Sequence, residues 1–281
     1  MKRCLSPRQH HGCSAAVLFA VFLFTARVDA LTFYSTDFSS GTGWSSNLNG
    51  SGMGGSIENS TPFIVNGAAQ GNYMSANNYP TVLLSQPASS ASNPDIWLGF
   101  LMRVDSGNHW AGGIGLCAGT TNQQIMNGPW DGTAGWHQAT EQLTLINANY
   151  TANAPSSIPM TTGSVAAVLA HFYSTNSGTT YNTADLWVQT DLSKSLFSDI
   201  SQGSALDYGF SMGPAAANVI SSIRLLADGG QEVRSYDNVV LATSSSEAVN
   251  YMNSVPEPQT NSLILLAIVA AGFFLRRGRL A

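Results

Sequence analysis

The chain has 281 residues and a formal net charge of −5, yet seven of its eleven Lys and Arg lie before Leu31 or after Val255. The span between holds four basic residues, Arg103, Lys194, Arg224 and Arg234, against fourteen Asp and Glu, a charge of about −10. Such a surface repels nucleic acid. Of the three cysteines only Cys117 lies inside that span, so no internal disulfide closes and packing alone must hold a domain long enough to bury a large core.

In chain order, Lys2, Arg3 and Arg8 precede an apolar stretch from Ala15 to Ala26 and then Val28-Asp29-Ala30. This is the pattern of a secretory signal peptide, with cleavage expected between Ala30 and Leu31, and residues 1–30 are set apart on that basis. Cys13 precedes the apolar stretch, which excludes a lipoprotein reading.

From residue 31 to 250 helical periodicity is nearly absent. Short apolar or alternating runs recur between clusters of Gly, Ser, Asn and Thr, the pattern of an all-β sandwich. Leu31 to Phe38 is expected as the first strand, Ser39 to Ser56 as an exposed loop, Pro80 to Ser85 as a strand, and Ile96 to Val104 as a central one. In that last run Ile96, Leu98, Phe100, Met102 and Val104 share one face, with Trp97, Leu101 and Arg103 on the other. Ala111 to Ala118 is a Gly-rich strand that invites close backbone approach. Gly128 to Gly132 is turn chemistry, which places Trp130 at a loop tip, and Trp136 to Ile146 resumes alternation. Asn147 to Gly163 reads as a long polar insertion loop. Ser164 to Ser174, Asp185 to Thr190, Ile220 to Ala227 and Arg234 to Thr243 are further strands, the last closing the sheet. Ser244 begins a short helix, because Ser-x-x-Glu ending at Glu247 is a capping box.

Residues 251–281 form the tail. After Val255-Pro256-Glu257-Pro258 comes an uncharged apolar run from Leu263 to Leu275, then Arg276-Arg277-Gly278-Arg279. The run of about 13 residues would span roughly 20 Å as a helix, short for a bilayer core of about 30 Å, but the arginines behind it mark a cytoplasmic end. This run, as a single C-terminal membrane helix, would place the preceding domain outside the membrane. The order of these three parts resembles the PEP-CTERM sorting signal. The resemblance implies anchoring in the inner membrane before processing, an exosortase as partner, recognition at Val255, Pro256, Glu257 and Pro258 with Arg276, Arg277 and Arg279 behind, and release to the cell surface or extracellular matrix.

Leu98 to Asp105, Trp110 to Gly115, Asn127 to Trp130, Asp185 to Gln189 and Ser235 to Thr243 together resemble the concanavalin-A/laminin-G-like jelly rolls. That resemblance implies an antiparallel jelly-roll sandwich whose last strand pairs with the chain's beginning.

Sites within the sandwich are sparse. The glutamates Glu58, Glu141, Glu232 and Glu247 are isolated, so the paired acids of glycoside hydrolysis are not present as a motif, and no nucleophile elbow, metal helix or phosphate loop occurs. No catalytic residue is assigned. Trp44, Trp110, Trp130 and Trp136 sit in or beside loops, where they either stack on sugar rings or plug the ends of the core. Asp131 is a lone candidate ligand for calcium, no other cofactor being indicated. His109, His137 and His171 are far apart in sequence, and Cys117 reads as a buried small hydrophobe. The expectation is an exported, non-enzymatic domain that binds carbohydrate, with exopolysaccharide of the matrix as the candidate ligand. A ligand-free structural spacer is the alternative, and a polysaccharide lyase or hydrolase a third.

Overall fold

The computed structural model describes residues 30–39, 43–46, 54–76, 79–106, 112–118, 125–126, 129–130, 142–146, 153–200, 207–212, 217–227 and 233–254. The elements are β1 (Thr32–Thr36), β2 (Trp44–Ser46), β3 (Gly55–Glu58), β4 (Ile64–Val65), β5 (Ala68–Ala69), β6 (Tyr73–Ala76), β7 (Pro80–Ser89), β8 (Asp95–Ser106), β9 (Gly112–Cys117), β10 (Ile125–Met126), β11 (Pro129–Trp130), β12 (Gln142–Ile146), β13 (Asn153–Pro159), β14 (Val165–Tyr173), β15 (Thr183–Gln189), β16 (Asp207–Ser211), β17 (Val219–Ala227), β18 (Val233–Ala242) and α1 (Ser245–Asn253).

The strands pair into two antiparallel sheets and a small hairpin of β4 and β5. The first sheet runs β16-β15-β14-β8-β18-β6-β3, and the second runs β13-β12-β11-β9-β17-β7-β2 with β10 also on β9. Apolar alternation sets their facing surfaces. Ile96, Leu98, Phe100, Met102 and Val104 of β8 all enter the core between the sheets, together with Phe172, Ile114, Leu116, Ile223 and Leu225. This is the all-β antiparallel sandwich that the strand pattern implies.

β18 lies inside the first sheet, between β8 on one side and β6 and β1 on the other, so it is central instead of closing an edge. Asn238 makes this possible. It sits at φ 48°, in the left-handed region that Asn tolerates, at a bulge between Asp237 and Val240. On one side of that kink Arg234 to Tyr236 pair with β6, and on the other Val239 to Ala242 pair with β1. The pairing of the last strand with the chain's beginning is therefore present.

The first sheet is also covered on its outer face. Leu101, Ala167, Leu169, Val240 and Ala242 point outward and pack under Met252 and Ala248 of α1, Phe63 and Val65 of the hairpin region, and Leu192, Leu196 and Phe197. Gly99 permits that contact: a Cβ there would meet the Met252 sulfur at 2.5 Å and Val240 at 3.1 Å. The helix begins at the expected cap, the Ser244 hydroxyl accepting from the Glu247 backbone N–H at 3.2 Å. The Glu247 carboxylate, however, goes to the Thr32 hydroxyl of β1.

Three expectations about loops are corrected. Asn147 to Gly163 is not one long loop, since Asn153–Pro159 is β13 and pairs with β12 through Ala154, Pro155 and Pro159, an edge position where proline is tolerated. Ser39 to Ser56 contains β2 and the start of β3. Trp130 is not at a loop tip: with Pro129 it forms β11, opposite Gly113 on one side and Thr144 on the other.

Candidate functional site

The outer face of the first sheet passes from covered to open along β8, β14 and β15. The pleat puts Trp97, His171 and Asp185 side by side across three neighbouring strands, because His171 is the register partner of both Trp97 and Asp185. Asp95 and Tyr173 lie next in line and are partners in the same register. Their rings stand in a stack. Trp97 and His171 are 4.1 Å apart and 8° from parallel, His171 and Tyr173 are 4.6 Å apart at 20°, and Trp187 follows Trp97 at 5.4 Å.

Carboxylates frame the stack. The His171 Nε2 lies 3.0 Å from Asp95 Oδ1 and its Nδ1 lies 3.4 Å from Asp185 Oδ2, so a doubly protonated imidazole would donate to both. The Tyr173 hydroxyl donates to Asp185 Oδ1 at 3.4 Å, and the Gly209 N–H of β16 donates to the same oxygen at 2.7 Å. That backbone bond occurs where the β15–β16 register slips. The side chain of Asp185 is 4% exposed, whereas that of Asp95 is 55% exposed and forms the open lip of the patch. Burial, with the charge of Asp95 adding to it, pushes the nearby Tyr181 hydroxyl well above the ordinary tyrosine range. The surface thus offers ring edges and carboxylate acceptors together.

A signal for this patch was present in the sequence. Asp95-Ile-Trp97 and Asp185-Leu-Trp187 repeat one Asp-x-Trp spacing, which puts acid and indole on the same face of a strand, and His171 occupies the same face of the strand between them. The separation of 14 residues from His171 to Asp185 and 74 to Trp97 hid the convergence.

Trp44, by contrast, is 6% exposed and packs in the core, 5.5 Å from Phe38 and edge-on to Tyr34 at 5.9 Å. It takes the plugging position, with no ring face open to a sugar. Trp110, Trp136, Asp131, His109 and His137 lie outside the described residues, as does the side chain of Trp130. Cys117 is fully buried, and burial pushes its thiol up, which disfavours the thiolate. Among the described residues no three His, Cys, Asp or Glu side chains are placed to hold a metal ion.

Two further polar clusters hold the cover in place. Arg103 lies 5.2 Å from the Phe63 ring and 5.0 Å from the Tyr73 ring, pairs with Asp105 at 2.5 Å and donates to the Thr61 carbonyl at 2.6 Å. The Asn238 amide donates to Gln70 Oε1 at 2.9 Å and to the Met252 carbonyl at 3.2 Å, joining bulge, hairpin and helix.

At the chain's ends, Ala30 and Leu31 are exposed, and Val255, Pro256, Glu257, Pro258, Arg276, Arg277 and Arg279 lie outside the described residues. Among the described residues no helix is long and apolar enough to cross a membrane.

No curated protein matches the sequence. Solved structures similar in shape include the T. cruzi calreticulin globular domain, at 12% identity and TM-score 0.48, covering 85% of this chain and 100% of that one. Peanut lectin matches at 11% identity and TM-score 0.44, covering 76% and 97%. An alginate lyase bound to an alginate tetrasaccharide matches at 16% identity and TM-score 0.36, covering 75% and 95%. Residues 254–279 match the family model of the PEP-CTERM protein-sorting motif. The chain is thus an antiparallel β-sandwich carrying at its C-terminus the sorting motif of exported, exosortase-processed proteins.

Proposed function

We propose that the sandwich binds extracellular carbohydrate, and that the half-buried ring patch of Trp97, His171 and Tyr173, with the exposed Asp95 at its lip, is where it does so. The observation that supports this reading is the patch itself, which sets half-exposed ring edges beside the exposed Asp95 carboxylate, an acceptor for sugar hydroxyls. Charge narrows the ligand. Arg224 and Arg234 are 4% and 1% exposed, the Arg103 side chain 15%, and exposed Lys194 is paired with Asp191 at 3.0 Å. With no unpaired lysine or arginine on the surface among the described residues between Leu31 and Val255, a polyanionic glycan meets like charge, and a neutral or amino-bearing glycan does not.

A spacer without ligand is the second reading. It is favoured by the way the stack satisfies its own hydrogen bonds, both imidazole nitrogens facing carboxylates. Asp95→Ala separates the two. Its exposed side chain contributes little to packing, so the melting temperature should stay within about 2 °C, while affinity for a bound glycan should fall at least roughly tenfold on the carbohydrate reading. Unchanged affinity would remove the patch from the binding surface.

In the same proposal the tail serves only as an address. Replacing Pro256, Glu257 and Pro258 by alanine leaves the signal peptide and apolar run intact, so export should continue while the tail stays attached. Mass spectrometry of the envelope fraction should show a longer product than wild type, and an unchanged mature mass would contradict exosortase recognition at this motif.

A further inference from the structure

The two ends of the sandwich, at Leu31 and Thr243, clasp each other beside α1. The Leu31 N–H donates to the Thr243 hydroxyl at 2.8 Å, and the Thr243 N–H returns a bond to the Leu31 carbonyl at 3.0 Å. One residue on, the Thr32 hydroxyl donates to Glu247 Oε1 in the first turn of α1, while Glu247 Oε2 is buried and has no hydrogen-bond partner among the described residues. An unpaired buried carboxylate oxygen is costly.

We infer that Glu247 is the receptor for the α-ammonium that signal-peptide cleavage creates on Leu31. This rests on cleavage between Ala30 and Leu31. In the uncleaved chain the Leu31 nitrogen is an amide with one hydrogen, already given to Thr243. Hydrolysis of the Ala30–Leu31 peptide bond leaves an Ala30 carboxylate on the departing segment and a Leu31 amine, which takes up a proton near neutral pH. The resulting ammonium has three donors, so it keeps the Thr243 bond and has two left to turn toward Glu247, whose carboxylate already reaches the hydroxyl of the adjoining Thr32.

The helix sharpens the requirement. Leu31 lies beside the start of α1, where the unpaired backbone N–H groups give the helix end a partial positive charge that repels an ammonium. Glu247, the acid of that first turn, offsets this repulsion. Cleavage thereby tightens the clasp between β1, β18 and α1, and joins removal of the leader to completion of the fold immediately before the sorting tail.

The test compares the exported mature protein with a variant carrying Gly-Ser inserted between Ala30 and Leu31, each with Glu247 retained and with the Glu247→Gln substitution. Intact mass establishes the first residue. The insertion retains the Leu31 amide bond to Thr243 but moves the ammonium two residues away. With Glu247 the native start should melt roughly 2–4 °C above the extended one, and in the Glu247→Gln background that advantage should vanish or reverse. A second readout does not depend on melting: acylation of the α-amine should be slow in the native protein and several-fold faster with Glu247→Gln. Equal melting differences in both backgrounds, equal acylation rates, or a mature chain beginning elsewhere than Leu31 would each overturn the inference.

Discussion

Asp237→Asn should make the protein more stable at pH 9 by up to roughly 6 kcal/mol and leave it nearly unchanged at pH 4. Burial beneath the cover of the first sheet pushes the Asp237 carboxyl up to about 8, opposed by the Asn238 N–H that it accepts and reinforced by the charge of Asp37. The folded carboxyl is therefore neutral at pH 6, whereas the unfolded one ionises near its ordinary value of about 3.8. Between these values folding takes up a proton, so the stabilising contribution is full below about pH 4, falls as pH rises towards 8, and is then constant at its minimum. Each pH unit across that interval costs about 1.4 kcal/mol. Asparagine is neutral throughout and nearly isosteric, so the slope disappears. Urea midpoints measured from pH 4 to 9 should converge at the acid end and separate at the alkaline end. Parallel curves would show that Asp237 is ionised in the fold.

Tyr236→Phe should cost roughly 2–3 kcal/mol and lower the melting temperature by about 4–12 °C. Tyr236 belongs to the first sheet, but its hydroxyl crosses the core to the second. There it accepts from the Gly113 N–H at 2.6 Å and donates to the Leu226 carbonyl at 2.5 Å. Gly113 and Leu226 are register partners, so the hydroxyl is inserted into the ladder between β9 and β17. Phenylalanine keeps the ring and leaves two buried backbone groups without this link. If β9 and β17 instead closed directly on one another, thermal denaturation would show a loss under about 1 kcal/mol, and the hydroxyl would have no part in joining the sheets.

What could be read in the sequence depended on the range of the interactions involved. β8 was legible because its alternation is local: Ile96 to Val104 reports both faces of one strand, the inner one fully buried and the outer one covered at Leu101 and half-buried at Trp97 and Arg103. The Ser244 cap was legible for the same reason, its bond spanning three residues. Its second half was not, since a short-range rule sends Glu247 back to its own cap, whereas a strand more than two hundred residues earlier takes the carboxylate. β13 was missed because its prolines and polar residues look like loop, and only an edge position in the assembled sheet accommodates them. The candidate site shows the same limit. Trp97 could be put on an outer face, but its meeting with His171 and Asp185 depends on which strands become neighbours. Trp44 illustrates the reverse case, a loop-flanked aromatic that the core absorbs.

Retention of the exported mature protein on a panel of immobilised neutral, amino-bearing and uronic-acid polysaccharides tests the carbohydrate reading most directly. Carbohydrate binding at the Asp95 patch predicts retention on a neutral or amino-bearing member, elution by soluble oligosaccharide of the same kind, and none on the uronic-acid members. Passage through the whole panel, or retention on a uronic-acid polysaccharide that survives Asp95→Ala, would contradict it.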